Sequence, residues 1–161
     1  MAQPRVAIQS ADFDVGAELS RLREADARVG AVCSFVGTVR AKGAPGGPEV
    51  LDMELEPYPG MTEKAIEAMI DEAQRRFDIF AARVVHRVGL LHPGEQIVLV
   101  AVTSAHRGES FQACEFLMDY LKTQAPFWKK ERTPQGARWV DARSSDDAAL
   151  ERWGIRAGNA G

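Results

Sequence analysis

Apolar positions along the chain alternate between two periodicities, one of helices and one of strands. Val6 to Ile8 form a short apolar run, and Val15, Leu19 and Leu22 then recur at helical spacing ahead of Gly30. Ala31 to Val39 (AVCSFVGTV) is rich in β-branched and apolar residues without a helical stripe, which predicts a largely buried strand ending at Arg40. Ala41 to Pro48 holds three glycines and two prolines in eight residues, the composition of a mobile loop. From Glu49 to Glu56, Leu51, Met53 and Leu55 alternate with Asp52, Glu54 and Glu56, as in a strand with one wet face. Thr62 reads as the N-cap of a helix whose stripe is Ile66, Met69, Ile70, Ala73 and Phe77.

Two strands follow, Arg83 to Val88 and Gln96 to Ser104, joined by the turn residues His92, Pro93 and Gly94. The second is apolar on both faces and therefore belongs at the centre of its sheet. A helix from about Ser110 to Gln124 carries Cys114, Leu117 and Leu121 on one stripe, and Pro126 stops it near Ala125. FWKKER and ARWVDA, separated by TPQG, form a hairpin. A last short helix lies near Asp146 to Trp153, and the tail 154–161 reads as disordered.

This order implies a single α+β domain over residues 1–153, with a mixed, mainly antiparallel sheet packed by helices and a small β hairpin subdomain. At 161 residues, 45% hydrophobic and 27% charged, the chain has an ordinary globular composition. Its net charge of -3 leaves no global basic field for nucleic acid or an anionic membrane, so any anion site must be local. The first ten residues lack a signal peptide's apolar run, and the longest apolar stretch, Ile97 to Val102, is too short to span a bilayer; the expected location is the cytoplasm. Cys33 and Cys114 each sit in an apolar segment and read as reduced core residues, not as a disulfide or a zinc knuckle.

Common catalytic signatures are missing: GAPGGP lacks the Gly-Lys-Ser/Thr ending of a phosphate loop, there is no HExxH or GxSxG, and His86, His92 and His106 have no metal-ligand spacing. No metal and no cofactor is expected. What remains is a set of cations at element ends. His106 and Arg107 stand between an apolar strand and a helix start, where unpaired N–H groups favour an anion and a guanidinium can grip phosphate or carboxylate; the alternative is a solvated loop cap. Arg40 ends a strand, suited either to fixing a substrate or to a surface ion pair. Lys122 lies in a helix's last turn, where the macrodipole alone accounts for a lysine. Lys129 shares a strand face with Phe127 and Glu131, either as part of a site or as a solvated face. Several such cations around one pocket would make a neutral amine available as base or nucleophile beside a held anion.

Five segments, FVGTVR (35–40), EPYPGMTEKA (56–65), HRVGLLHPGE (86–95), VTSAHRGESF (102–111) and MDYLKTQAPFWKKE (118–131), together resemble the molybdopterin synthase large (catalytic) subunit over about residues 5 to 153. The resemblance implies an α/β hammerhead-like fold and a sulfurtransferase of molybdenum-cofactor synthesis. Such an enzyme moves two sulfurs from the C-terminal glycine thiocarboxylate of a small ubiquitin-like carrier subunit to cyclic pyranopterin monophosphate, forming the molybdopterin dithiolene. It further implies a homodimer core within a heterotetramer, Lys122 and Lys129 as catalytic lysines, and Arg40, His106 and Arg107 as substrate-anion contacts. Thr38, Val39, Lys130 and Glu131 would border the site, Thr38 and Val39 mainly through backbone, and Arg143 resembles a residue that reaches a pocket across a dimer interface. Two other readings stay open: a transferase on another phosphorylated metabolite, and a noncatalytic partner-binding module presenting FWKKER.

Overall fold

The computed structural model of the chain describes residues 3–42, 46–140 and 144–155. Its elements run β1 (Val6–Gln9), α1 (Val15–Glu24), β2 (Ala31–Thr38), β3 (Asp52–Pro57), α2 (Met61–Arg76), β4 (Ile79–Arg87), β5 (Gly89–Leu91), β6 (Gln96–Ser104), α3 (Arg107–Gln124), β7 (Phe127–Thr133), β8 (Gly136–Trp139) and α4 (Ser144–Glu151). The strands form two four-stranded sheets, ordered β1-β4-β6-β2 and β5-β3-β7-β8. In the first, β1 runs parallel to β4 and the other pairs are antiparallel; the second is antiparallel throughout. The α+β class read from the sequence is the class observed.

The apolar run of β6 explains the first sheet. Val98, Val100 and Val102 point to one face and meet Ile66, Met69 and Ile70 of α2 and Phe116, Leu117 and Leu121 of α3. Leu99 and Ala101 point to the other face, where Phe13 and Leu22 close a smaller core. Each such large side chain taken fully out of water contributes about 1.5–3 kcal/mol, so this sheet carries most of the apolar stabilisation. A buried ion pair joins this sheet to α1, Arg83 Nε of β4 donating to Glu18 Oε2 at 2.9 Å.

Four sequence expectations change. β2 is not largely buried: it lies at the edge of its sheet, and Val32 and Phe35 are exposed, Phe35 at 41%. The strand expected from Glu49 begins at Asp52, because Val50 is tied to Ala41 by a backbone hydrogen bond across the preceding loop. The hairpin of β7 and β8 forms as expected but belongs to a larger sheet, joined through β3 to β5. Thr62 does not cap α2. Gly60 occupies the N-cap position at φ +79°, while the Thr62 hydroxyl, fully buried inside the first turn, accepts from Tyr58 N at 2.9 Å and donates to Pro126 O at 2.7 Å. Residues 43–45 of the glycine-rich loop and 156–161 of the tail lie outside the described residues. Among the described residues no helix is long and apolar enough to cross a membrane.

Candidate active site

Where the two sheets meet, a cleft of about 620 Å³ opens between the ends of β2 and α3 and the face of β7. The sequence builds it at Pro126. Proline forces the residue before it out of helical geometry, so α3 ends on extended Ala125 (φ -74°, ψ 123°) and the chain turns directly into β7. That turn sets Lys122, exposed on the last turn of α3, and Lys129, on β7, around the same cleft. Thr38 and Arg40 reach it from the end of β2. Gly37 is required there, because a Cβ would stand 2.8 Å from Val98 Cγ1 just where the β2–β6 register shifts. The floor follows from strand register: Met53 and Leu55 of β3 lie opposite Glu131 and Lys129 of β7 and point to the same side.

Charge in the cleft is mixed. The buried Glu131 carboxylate lies 3.8 Å from Lys129 Nζ and accepts from Arg138 Nη2 at 3.3 Å. Its negative charge favours the charged form of the lysine beside the apolar floor. His86 also lines the cleft, stacked on Phe127 with ring centroids 4.0 Å apart. Burial pushes its imidazole down to about 4, and the Lys122 charge opposes protonation further, so the ring is neutral at physiological pH. An aromatic ribbon rims the opening: half-buried Tyr58 against exposed Trp128 at 5.2 Å, and Trp128 against exposed Trp139 at 5.7 Å. Among the described residues no three His, Cys, Asp or Glu side chains gather as a bound metal would need. Burial, with the adjacent Cys33 thiol, pushes Cys114 up to about 12, which leaves it a protonated thiol away from the cleft.

A family model described as MoaE protein matches residues 8–124. The chain belongs to the MoaE family. A molybdopterin synthase catalytic subunit from Ralstonia nicotianae is 60% identical over 98% of this chain and 88% of its own length. The Escherichia coli protein of the same name is 50% identical over 95% of the chain and its full length. Among solved structures, the molybdopterin biosynthesis MoaE protein from Burkholderia ambifaria superposes with a TM-score of 0.82 at 55% identity, covering 96% of this chain and all of that one.

In this MoaE chain the expected site residues do not all share one place. Lys122, Lys129, Arg40, Thr38 and Glu131 line the cleft. Val39 does not: its side chain is buried beside Met53 and Leu91, and its N–H and C=O are taken by Glu95 O at 2.9 Å and Gly94 N at 2.8 Å. Lys130 points to the other side of β7, its Nζ 5.5 Å above the Trp139 ring. His106 and Arg107 line a separate, open hollow of about 570 Å³ with Gly30 and Ala31. Gly30 permits that close turn, since a Cβ there would fall 2.3 Å from Ala105 O. Ala31 of the hollow and Thr38 of the cleft are the two ends of β2, seven steps of about 3.3 Å or about 23 Å apart. Arg143 lies outside the described residues. Sequence reading passed over His86, although its alternation with Val84 on one face of β4 was a usable signal; Tyr58 and Trp139 join the rim only through long-range pairing.

Proposed function

We propose that this MoaE-family chain is the catalytic subunit of a molybdopterin synthase, transferring two sulfurs from the C-terminal thiocarboxylate of a small carrier subunit to cyclic pyranopterin monophosphate in the cytoplasm. The observation that carries this reading is the meeting of Lys122, Lys129 and Arg40 on one cleft with an apolar floor. Arg40 supplies a fork for a phosphate or carboxylate, and the two lysines supply positioned groups that exchange protons as sulfur adds and the acyl group leaves. The aromatic rim of Tyr58, Trp128 and Trp139 offers a landing surface for the carrier's tail. A sulfur brought by the partner needs no thiolate on this chain, in keeping with the raised Cys114. The test is to incubate the protein with thiocarboxylated carrier and the cyclic pterin phosphate and to look for the dithiolene by mass spectrometry. Formation of product is expected, and its absence with authenticated partner and substrate overturns the reading.

His106 and Arg107 enter the proposal through a second copy. The outer edge of β2 has no strand partner among the described residues and exposes Val32 and Phe35. A twofold pairing along that edge, antiparallel, sets the His106–Arg107 end of one copy against the Arg40 end of the other and completes one anion site from two chains. Mixed dimers test this. Lys122→Ala and Arg107→Ala proteins, each inactive alone, should regain turnover after mixing and subunit exchange, because one of the two shared sites is then intact. No recovery in proven mixed dimers assigns both residues to one chain's site and removes the shared arrangement.

A further inference from the structure

His86 stands in the cleft as an acceptor without a donor. Its Nδ1 lies 2.8 Å from the Arg87 carbonyl oxygen. A carbonyl only accepts, so Nδ1 carries the proton and Nε2 of the neutral ring keeps its lone pair. Nε2 makes no hydrogen bond among the described residues, and it is not sealed from solvent as Thr103 Oγ1 and Gln124 Nε2 are. The ring lines the cleft, and Nε2 is its nitrogen not held by the backbone. Two contacts fix the direction: the Arg87 carbonyl at one edge and the Phe127 ring stacked at 24° on its face. Strand alternation would place an apolar side chain here, since His86 follows Val84 on the face covered by α2 and α3 and pairs with Val98. The stack on Phe127 would serve an apolar ring equally well, and Nε2 takes no part in it.

Lys122 is the complementary case, a donor without an acceptor: its side chain makes no hydrogen bond or ion pair among the described residues, and it lines the same cleft. We infer that His86 is a positioning residue for Lys122, its Nε2 accepting a hydrogen bond from the lysine amine and holding that amine in the cleft when the carrier's tail is seated. This rests on the sulfur-transfer reading of the site. A neutral acceptor suits the task where a carboxylate would not: it orients an N–H group without holding the lysine as a fixed ammonium, so a proton can still pass between lysine and reactants. Glu131 takes the other part, toward Lys129. The cleft thus gives its two lysines different partners, a neutral ring for one and a carboxylate for the other.

The test compares His86→Phe, which keeps a ring to stack on Phe127, with His86→Gln, whose amide can restore an acceptor near the Nε2 position. For His86→Phe, kcat should fall about 10- to 100-fold with KM for carrier and pterin nearly unchanged, the penalty of a misplaced reacting group, and His86→Gln should recover most of it. Wild-type kcat in His86→Phe overturns the inference, as does loss of activity in both variants in step with their Tm. Should His86→Phe fail to fold, the imidazole ¹⁵N resonances of the carrier-bound wild-type and Lys122→Ala proteins decide: Nε2 should move when the lysine is removed, and an unmoved Nε2 overturns the inference. Full activity of Lys122→Ala would instead sink the site reading itself, whereas an inactive Lys122→Ala beside a fully active His86→Phe sinks only the role given to His86.

Discussion

The two sheets of this molecule do opposite work. In the first, β6 is buried at every position from Val98 to Ser104, closed in by helices on both faces. In the second, β8 is exposed at all four positions, and β7 turns Lys129 and the buried Glu131 to the cleft and Lys130 to its other side. The first sheet holds the larger apolar core, and the second brings Lys129 and Glu131 to the cleft. That division keeps the charged side chains of β7 out of the apolar core around β6 that the fold depends on.

The largest test of that division is on rate. Lys129→Ala should lose about 10² to 10⁴ in turnover, the usual cost of a positioned acid or base, while its Tm stays within a few degrees of wild type. An equal fall in Tm would mean that Lys129 and Glu131 hold the second sheet together. On the first sheet the expectation reverses. Phe116, fully buried among Phe77, Tyr120 and Trp153, should cost about 3–5 kcal/mol on Phe116→Ala, read from urea unfolding, with kcat per folded molecule unchanged.

The third test lies at the seam. His86 has its folded pKa lowered to about 4 from 6.5, so it is neutral in both states above pH 6.5, and below that the unfolded chain takes up the proton first. Stability is therefore present above about 6.5 and is lost as pH falls towards 4, by about 3 kcal/mol from this group. Urea titrations across that window should show the slope in wild type and a shallower one in His86→Phe; identical slopes would place the loss elsewhere. The smallest effect belongs to the rim. Trp139 is 62% exposed, and Trp139→Ala should change stability by less than about 1 kcal/mol while weakening carrier binding, measured by calorimetry. Unaltered carrier affinity would remove the rim from the docking surface.

The first sheet was far more legible in the sequence than the second, for a physical reason. The apolar run Gln96–Ser104 carries its own boundaries, and Pro126 ends α3 by a steric rule that acts on the adjacent residue. β5 is only three residues long, and its strand pairing is with β3, more than thirty positions earlier, so no local pattern announces it. β2 misleads because β-branched apolar residues suit an edge strand waiting for a partner as well as a buried one. At the site, the residue types at 40, 107, 122 and 129 were readable as anion-handling groups. That Arg107 stands a strand's length from Arg40 was not, because convergence is a property of topology.

The Thr62 hydroxyl, gripping Pro126 while gripped by Tyr58, has a consequence for the proposed transfer of two sulfurs to one molecule. It bolts the elbow between α3 and β7 to the first turn of α2, so the helix-end lysine and the strand lysine hang from a single stiff bracket. Such a bracket works as a jig: the workpiece is turned between two identical operations while the tools stay where they are. The pterin of the proposed reaction, taking sulfur at two carbons, is that kind of workpiece, and the spacing of the tools is set before it arrives.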